Sequence, residues 1–363
     1  MFEEPVIHSR QTGERGSLLT LLVEASDDRE VAEILRDAGL NSTQIRGVRN
    51  RLFKQFLSDE AVIRGLPALQ QFSLHGLELC VRSDSAVDGA TKLLFRTALG
   101  MLTETVILRI ASGRTSLCVS TQVGCAAGCL FCATSRMGFL QNLSSAEILD
   151  QVVQAGQILA AERRPLRNIV FMGMGEPFHN EDNLYRALES LTHGRRFNRA
   201  PESILVSTVG IPEAMVRCAR RFPAVNLALS LHSADSDIRA SIIPLARRYP
   251  LEELRNAIES VNQIQRVPVM IEYLMLRRMN DSIDQARRLA EWLRGLKVHI
   301  NLIPYNPIED APEIEGSSRD VITEFSRCLR NSGFKVTVRY SLGQDINAAC
   351  GQLVRSEIRR RQS

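Results

Sequence analysis

The sequence has no run of eighteen apolar residues, no apolar segment at its amino terminus and no strong excess of charge. A membrane-spanning helix needs about 18 or more apolar residues, so run length excludes one. The missing signal segment, together with 8 cysteines in 363 residues, argues against a secreted disulfide framework. We therefore expect a cytoplasmic protein with reduced thiols. A net charge of +4 permits an anionic partner without requiring one.

Three of the cysteines nevertheless fall within one short loop. Cys125, Cys129 and Cys132 form a C-x3-C-x2-C pattern with no fourth cysteine nearby. Three thiolates can hold three irons of a cubane cluster and leave the fourth iron without a protein ligand, where it is available for chemistry. A structural zinc site is the alternative, but zinc motifs usually pair two close ligands with a distant pair, and the candidates to complete one are scattered here. The loop therefore predicts an open [4Fe-4S] cluster.

This cysteine spacing resembles that of the radical S-adenosylmethionine (SAM) superfamily. The resemblance implies two cofactors, a [4Fe-4S] cluster and SAM. In that superfamily the amino and carboxylate groups of SAM chelate the open iron, and an electron from the cluster cleaves the sulfonium to give a 5'-deoxyadenosyl radical.

The periodicity of apolar residues predicts an α/β fold in four parts. Helical spacing indicates a small helical N-terminal domain over 1–70, and short β-like runs indicate a β-rich extension over 71–115. Strands and helices alternate over 116–340, which predicts a parallel sheet flanked by helices. About six such units are fewer than the eight of a TIM barrel, so we expect an open partial (βα)6 TIM-like barrel. Residues 341–363 follow as a C-terminal segment with a basic tail.

Barrels of this type carry their chemistry at the C-terminal ends of the strands, where several polar residues fall. The run 173–177, Gly-Met-Gly-Glu-Pro, resembles the superfamily's GGEP-type motif, in which the acid binds the SAM amino group. Its glycines allow close backbone approach, and Glu176 can accept from an ammonium group. Taken singly, the later polar residues are better explained as strand-end caps or satisfied core groups. For these residues as a set, in this order along the chain, the resemblance implies SAM binding by Gly175, Glu176, Ser207, Ser230, Leu231, His232 and Asn306.

The carboxyl-terminal run 345–353 contains Cys350, and Cys118 stands seven residues before the cluster loop. Together they resemble the radical SAM ribosomal RNA adenosine methyltransferases of the RlmN and Cfr type, over residues 103–353. The resemblance implies methylation of an adenine carbon, C2 or C8, in 23S ribosomal RNA, with transfer RNA as a second candidate substrate. An aromatic C–H of adenine is too weak a nucleophile for a methyl sulfonium, so this chemistry requires a radical route.

The same resemblance assigns three catalytic roles. Cys350 matches the cysteine that one SAM methylates. The radical derived from a second SAM then removes hydrogen from that S-methyl group. After the carbon radical adds to adenine, Glu104 matches the acceptor of the ring proton. Cys118 matches the resolving thiol that attacks the sulfur of Cys350, leaving a transient disulfide that an external reductant reopens. Without these roles, the two cysteines would be small buried hydrophobes and Glu104 a solvated strand residue.

Two positions beside the cluster depart from the family pattern, and two segments are rich in cations. The family usually has glycine and arginine where this chain has Ser135 and Gln141. Cations without an acid lie within 43–57 (Arg46, Arg49, Arg51 and Lys54), and others lie in the tail (Arg355, Arg359, Arg360 and Arg361). Such segments suit RNA phosphates, although solvated helix faces look the same. We expect a monomer that binds ribosomal RNA and no membrane.

Two other functions remain open on the sequence alone. A radical SAM enzyme could act on a peptide or a small molecule instead of RNA. A zinc-stabilised RNA-binding protein would use the cysteine loop without catalysis.

Overall fold

The computed structural model describes residues 17–24 and 28–353, so the arginine-rich tail lies outside the described residues. Within them no helix is long and apolar enough to cross a membrane. The strands are β1 (Glu78–Asp84), β2 (Ala90–Arg96), β3 (Leu102–Arg109), β4 (Thr115–Cys118), β5 (Gln122–Gly124), β6 (Phe139–Asn142), β7 (Asn168–Phe171), β8 (Ile204–Thr208), β9 (Asn226–Ser230), β10 (Val269–Met275), β11 (Val298–Pro304) and β12 (Lys335–Val338). The helices are α1 (Leu18–Glu24), α2 (Asp28–Asp37), α3 (Ser42–Arg49), α4 (Asp59–Ile63), α5 (Ala133–Arg136), α6 (Ser145–Ala161), α7 (Glu181–Thr192), α8 (Pro212–Arg221), α9 (Ser236–Ile242), α10 (Leu251–Ile264), α11 (Ile283–Trp292) and α12 (Arg319–Asn331).

One ten-stranded sheet forms the centre of the molecule, in the order β1-β2-β3-β4-β7-β8-β9-β10-β11-β12. The pairs from β4 through β12 are parallel, and helices follow β4, β7, β8, β9, β10 and β11. These six strand-helix units make an open partial barrel, which confirms the predicted fold class, and β12 adds a seventh parallel strand at one edge. The predicted β-rich extension joins the opposite edge, where β1, β2 and β3 pair antiparallel and continue the sheet from β4.

The helix α6 shows how the local sequence sets these elements. Ser144 accepts from the backbone N–H of Glu147 at 3.2 Å, and the Glu147 carboxylate accepts from the N–H of Ser144 at 2.9 Å. This capping box satisfies two backbone donors at the start of the helix. In the middle of α6, a Cβ at Gly156 would lie 2.5 Å from the ring of Phe56. The N-terminal helices therefore pack directly on the core, and that packing requires a glycine there.

The basic run in the N-terminal helices is largely structural. Arg49 is buried, and Arg51 donates to the backbone carbonyls of Gly47, Ala61 and Arg64. The other two cations, Arg46 and Lys54, are exposed. Arg46 and Lys54 thus remain candidates for phosphate contacts, whereas Arg49 and Arg51 do not, because side chains engaged in the packing of these helices do not face a partner.

A doubly paired histidine joins the N-terminal helices to the core. The ring of His75 lies 2.6 Å from a carboxylate oxygen of Asp150 on α6 and 3.0 Å from one of Asp59 on α4. The second oxygen of Asp150 accepts the N–H groups of Gly76 and Leu77, each at 2.8 Å. Burial disfavours the charged ring, but the hydrogen bonds to both acids outweigh it and raise the pKa of His75 to about 10.

Replacing His75 with glutamine is expected to lower the free energy of unfolding by about 2 kcal/mol at pH 7, because buried carboxylate oxygens lose a charged donor. A raised pKa in the folded state means that the contribution is complete below pH 6.5 and is lost as pH rises through about 10. Urea unfolding at pH 7 and above pH 10 should therefore show a deficit only at the lower pH. The control is His193→Gln at the exposed end of α7. An equal loss in the free energy of unfolding at both pH values would contradict stabilisation by ion pairs between protonated His75 and the two aspartates.

Candidate active site

The three cysteines of the loop lie together at the C-terminal end of the barrel. The loop begins where the N–H of Cys125 donates to the carbonyl of Gly138 at 2.9 Å, which ties it to the small β5–β6 hairpin. Cys125 and Cys129 are buried and Cys132 is half-buried. All three line one cavity of about 150 Å³, whose wall also contains Gly175, Glu176, Ser207, Ser230, His232 and Cys350. The structure thus brings most of the predicted site residues to one place.

The chemistry of this loop fits an iron–sulfur cluster. Burial raises the pKa of Cys125 to about 12 and that of Cys129 well above its usual range, and the neighbouring thiols add to both shifts. Thiols this close and this buried become thiolates only when a metal ion compensates the charge. The sulfur of Cys125 already accepts from the N–H of Ala127 at 3.5 Å. Over 17–24 and 28–353, the structure has no group of three potential ligand side chains already positioned to hold a metal ion.

Glu176 is held at the cavity wall by backbone donors. Its two carboxylate oxygens accept from the N–H groups of Phe178 at 3.1 Å and Val209 at 2.8 Å. Burial raises the pKa of Glu176 to about 7, although these hydrogen bonds oppose the shift. A buried carboxyl group with a pKa of about 7 is well suited to pair with an ammonium group, because the positive charge would stabilise its carboxylate form.

The glycines of the 173–177 turn are required by packing as well as by access to the cavity. A Cβ at Gly173 would lie 2.5 Å from the hydroxyl of Ser120, and one at Gly175 would lie 2.6 Å from Gln122. Gly175 also has a φ of +99°, which side chains disfavour. The turn therefore packs closely against the segment that leads into the cysteine loop, and this packing fixes the position of Glu176 at the end of the barrel.

His232 is a neutral imidazole at the end of β9. Its Nδ1 accepts from the N–H of Leu274 at 3.1 Å, and burial lowers the pKa of His232 to about 3. The ring meets Phe131 edge-on at 4.9 Å, next to the cluster loop. Because Nδ1 is an acceptor, the ring proton lies on Nε2. Ser207, near the end of β8, and Ser230, at the end of β9, also line the cavity.

Two residues of the predicted SAM set do not line the cavity. The side chain of Leu231 is fully buried in the core, which leaves only its backbone for a ligand. The amide of Asn306 donates to the hydroxyl of Ser341 at 2.9 Å and to the carbonyl of Cys350 at 3.2 Å, and its oxygen accepts from Gln344 at 2.8 Å. Asn306 therefore anchors the C-terminal segment.

That segment positions Cys350 beside the cluster loop. The carbonyl of Gly351 accepts from the N–H of Ala133 at 2.7 Å, and Gln352 donates to the carbonyl of Pro307 at 2.8 Å. Residues far apart in sequence are thus joined by hydrogen bonds at the two residues that follow Cys350. Cys350 lines the cluster cavity and also a second cavity of about 600 Å³ inside the barrel.

The second cavity contains the other predicted catalytic cysteine. Cys118, at the end of β4, lines it together with Cys350 and Arg339. Burial raises the pKa of Cys118 to about 12, Cys350 adds to the shift, and the guanidinium of Arg339 opposes it. The two thiols therefore interact across this cavity, beside a cation that favours the thiolate form of Cys118.

Glu104 is buried on β3, next to the strand of Cys118, and lines neither of the two cavities. Its carboxylate lies 3.4 Å from the ammonium of Lys92, and only 3% of the residue is exposed. In the sheet, Val106 pairs with Cys118, which places Glu104 two residues closer to the cluster end of the strands. The alternative of a solvated strand residue is wrong for Glu104.

Sequence reasoning missed three charged residues in or next to this site, of which Glu272 and Arg239 are buried and Arg339 is half-buried. Arg339 follows β12, Glu272 lies within β10 and accepts from Asn301 at 2.9 Å, and Arg239 lies on α9. Arg339 and Glu272 line the cluster cavity. The rule that strand ends carry the chemistry could have identified Arg339. Nothing in the local sequence distinguishes Arg239 from the exposed arginines around it.

Comparison with known proteins agrees with this geometry. Residues 119–293 match the Radical SAM superfamily. The chain is 57% identical to a probable RNA methyltransferase from Rhodopirellula baltica, over 92% of this chain and 88% of that protein. It is 42% identical to the probable dual-specificity RNA methyltransferase RlmN of Thermus thermophilus, over 78% of both chains.

A solved structure extends the agreement to three dimensions. The crystal structure of a radical SAM methyltransferase from Sphaerobacter thermophilus superposes with a TM-score of 0.85 at 38% identity, covering 93% of this chain and 99% of that one. The chain therefore belongs to the radical SAM superfamily and, within it, to the RlmN-type family of SAM-dependent RNA methyltransferases.

Proposed function

We propose that this protein methylates an adenine carbon, C2 or C8, of 23S ribosomal RNA through a methyl group carried on Cys350. One observation supports this most strongly: Cys350 lines both the cluster cavity and the barrel cavity that contains Cys118. A methyl carrier must face its methyl source on one side and its acceptor on the other. A cavity of about 600 Å³ is within the range of small-molecule sites and has room for an extruded base.

The cofactors would be held at the smaller cavity. Cys125, Cys129 and Cys132 would ligate a [4Fe-4S] cluster, and Glu176 would accept from the amino group of SAM. Gly175, Ser207, Ser230, His232 and the backbone of Leu231 would contact the rest of SAM, with Asn306 available only if its bond to Cys350 opens. When bound, these groups would supply the methyl group and the radical that activates it, and the cluster would take back the single electron that the radical adduct loses along with its ring proton.

The remaining steps belong to side chains of the barrel. Glu104, paired with Lys92 at 3.4 Å, would be a carboxylate and would take the proton that leaves the adenine ring. Cys118 would then attack the sulfur of Cys350, forming an S–S bond as the C–S bond to the RNA breaks. The electron pair of that C–S bond stays on the carbon that becomes the new methyl group, where it takes up a proton. Two electrons from an external thiol reductant would reopen the disulfide.

The RNA would be bound by shape and by splayed bases, because the A-form major groove is too narrow to read. The exposed Arg46 and Lys54 are candidates for phosphate contacts. Transfer RNA is a second candidate substrate of the same site. We further propose that the protein acts as a monomer in the cytoplasm, where RNA and thiol reductants are available.

Mass spectrometry of nucleosides tests the proposal. Purified 23S ribosomal RNA lacking the modification should gain a single methyladenosine after incubation with SAM, reductant and anaerobically reconstituted protein that carries about four irons per chain. Chromatographic retention against 2-methyladenosine and 8-methyladenosine standards would assign the carbon. Cofactor turnover without methylated RNA would favour the peptide or small-molecule alternative. Colourless protein that contains zinc would favour the RNA-binding alternative.

A further inference from the structure

Arg239 is a buried cation to which the proposed reaction gives no role. It lies on α9 with 1% of its surface exposed, and its Nη2 donates to the carbonyl of Val209. Its Nε and Nη1 have no hydrogen-bond partner among the described residues. Buried N–H groups on a guanidinium are costly to leave unpaired, so their retention points to an anionic partner.

The helix that carries Arg239 is bonded directly to the cysteine loop. The N–H of Leu130 donates to the carbonyl of Ile242 at 2.9 Å, and the N–H of Leu245 donates to the carbonyl of Ala127 at 3.4 Å. These two bonds fall on either side of Cys129. Arg239 stands one helical turn before Ile242, which packs in the same apolar cluster as Cys125 and Cys129. The segment that carries Arg239 is therefore held against the loop by backbone hydrogen bonds.

The charge of Arg239 reaches the proposed cluster ligands. Burial lowers the pKa of Arg239 to about 10, which leaves it cationic at neutral pH, and Cys129 opposes that shift. The pKa of His232 is lowered mainly by burial, and the charge of Arg239 is the second cause. Arg239 does not line the cavity that would hold SAM, whereas Cys129 does. The more accessible anion is thus the cluster and its thiolates, rather than the SAM carboxylate.

We infer that Arg239 directs the N–H groups of its Nε and Nη1 at the sulfur atoms around Cys129 and raises the reduction potential of the cluster. Reduction adds one negative charge to a cluster in an apolar pocket, and a fixed cation with hydrogen bonds to sulfur stabilises that charge. Arg239 would act through the cluster and not on the substrate, so it is a positioning residue. The inference rests on the cluster of the proposed function.

An EPR-monitored redox titration of the reconstituted holoprotein without SAM tests this role. Arg239→Met should keep about four irons per chain but lose at least tenfold in the equilibrium constant for reduction, which is about 59 mV for a one-electron couple. Arg239→Lys, which keeps the charge, should restore most of the potential. The matched control is Arg287→Met on the exposed face of α11, with the same change in net charge and no shift expected.

A measurement on the unsubstituted protein covers the case in which Arg239→Met fails to assemble. Protein labelled with 15N-arginine should show a 15N hyperfine coupling to the reduced cluster by pulsed EPR. An intact cluster with no such coupling, or with an unchanged potential in Arg239→Met, would overturn the inference and leave the proposed function standing. Weaker SAM binding at an unchanged potential would reassign Arg239 to the SAM carboxylate. Protein that never binds a cluster would overturn both proposals.

Discussion

A Cys350→Ala variant is expected to bind the cluster and SAM normally and to leave RNA unmethylated. The sulfur is the only proposed carrier of the methyl group, so the loss should be complete, about 10³-fold or more against the unsubstituted protein. Alanine fits the position, because the backbone around residue 350 is held by hydrogen bonds from Asn306 and Ala133 and not by the thiol. Quantitative mass spectrometry of the modified nucleoside, with iron content measured on the same preparation, checks this result.

The matched control is Cys328→Ala. Cys328 is a half-buried cysteine on α12, and it lines neither of the two site cavities. This variant should methylate RNA at the rate of the unsubstituted protein. Turnover that survives in Cys350→Ala would refute the carrier role, whereas equal loss in both variants would indicate damage to the fold.

The barrel and its site edge follow from sequence because they depend on patterns that the chain repeats. Buried strands such as β9 and β10 read as continuous apolar runs, and chain order alone then places Glu176, Ser207 and His232 at the same end of the sheet. The small β5–β6 hairpin escaped prediction because strands of three and four residues leave too little periodicity to read.

Side-chain partners were less predictable than positions. Asn306 lies at a strand end as expected, yet its amide is bound to Cys350 and Ser341, which depends on a segment more than thirty residues away. Arg51 reads as a free cation in sequence and is a donor to three carbonyls in the structure. Such pairings arise from tertiary packing, and a single sequence carries no local signal of them.

A Cys118→Ala variant is expected to give the opposite result from Cys350→Ala in the same cavity. The methylene-bridged adduct between Cys350 and the RNA should form and then persist, because no thiol remains to attack its sulfur. Free methylated RNA should fall to less than one equivalent per protein, and a covalent protein–RNA species should accumulate toward one equivalent. Denaturing gel electrophoresis with end-labelled RNA, followed by mass spectrometry of the crosslinked peptide over 341–353, measures both.

Cys80→Ala, on β1 and away from both cavities, is the control and should release methylated RNA without an adduct. Multiple turnovers in Cys118→Ala would contradict the resolving role, because the adduct would then open without a thiol at position 118. The effects of burial and Arg339 on the pKa of Cys118 would then have no part in release of the RNA. Adding Glu104→Gln to Cys118→Ala separates the order of events. Removal of the ring proton and attack on the sulfur both follow formation of the adduct. The double variant should therefore still become crosslinked if Glu104 only removes the ring proton. It should lose the crosslink if Glu104 is needed for the base to enter the site.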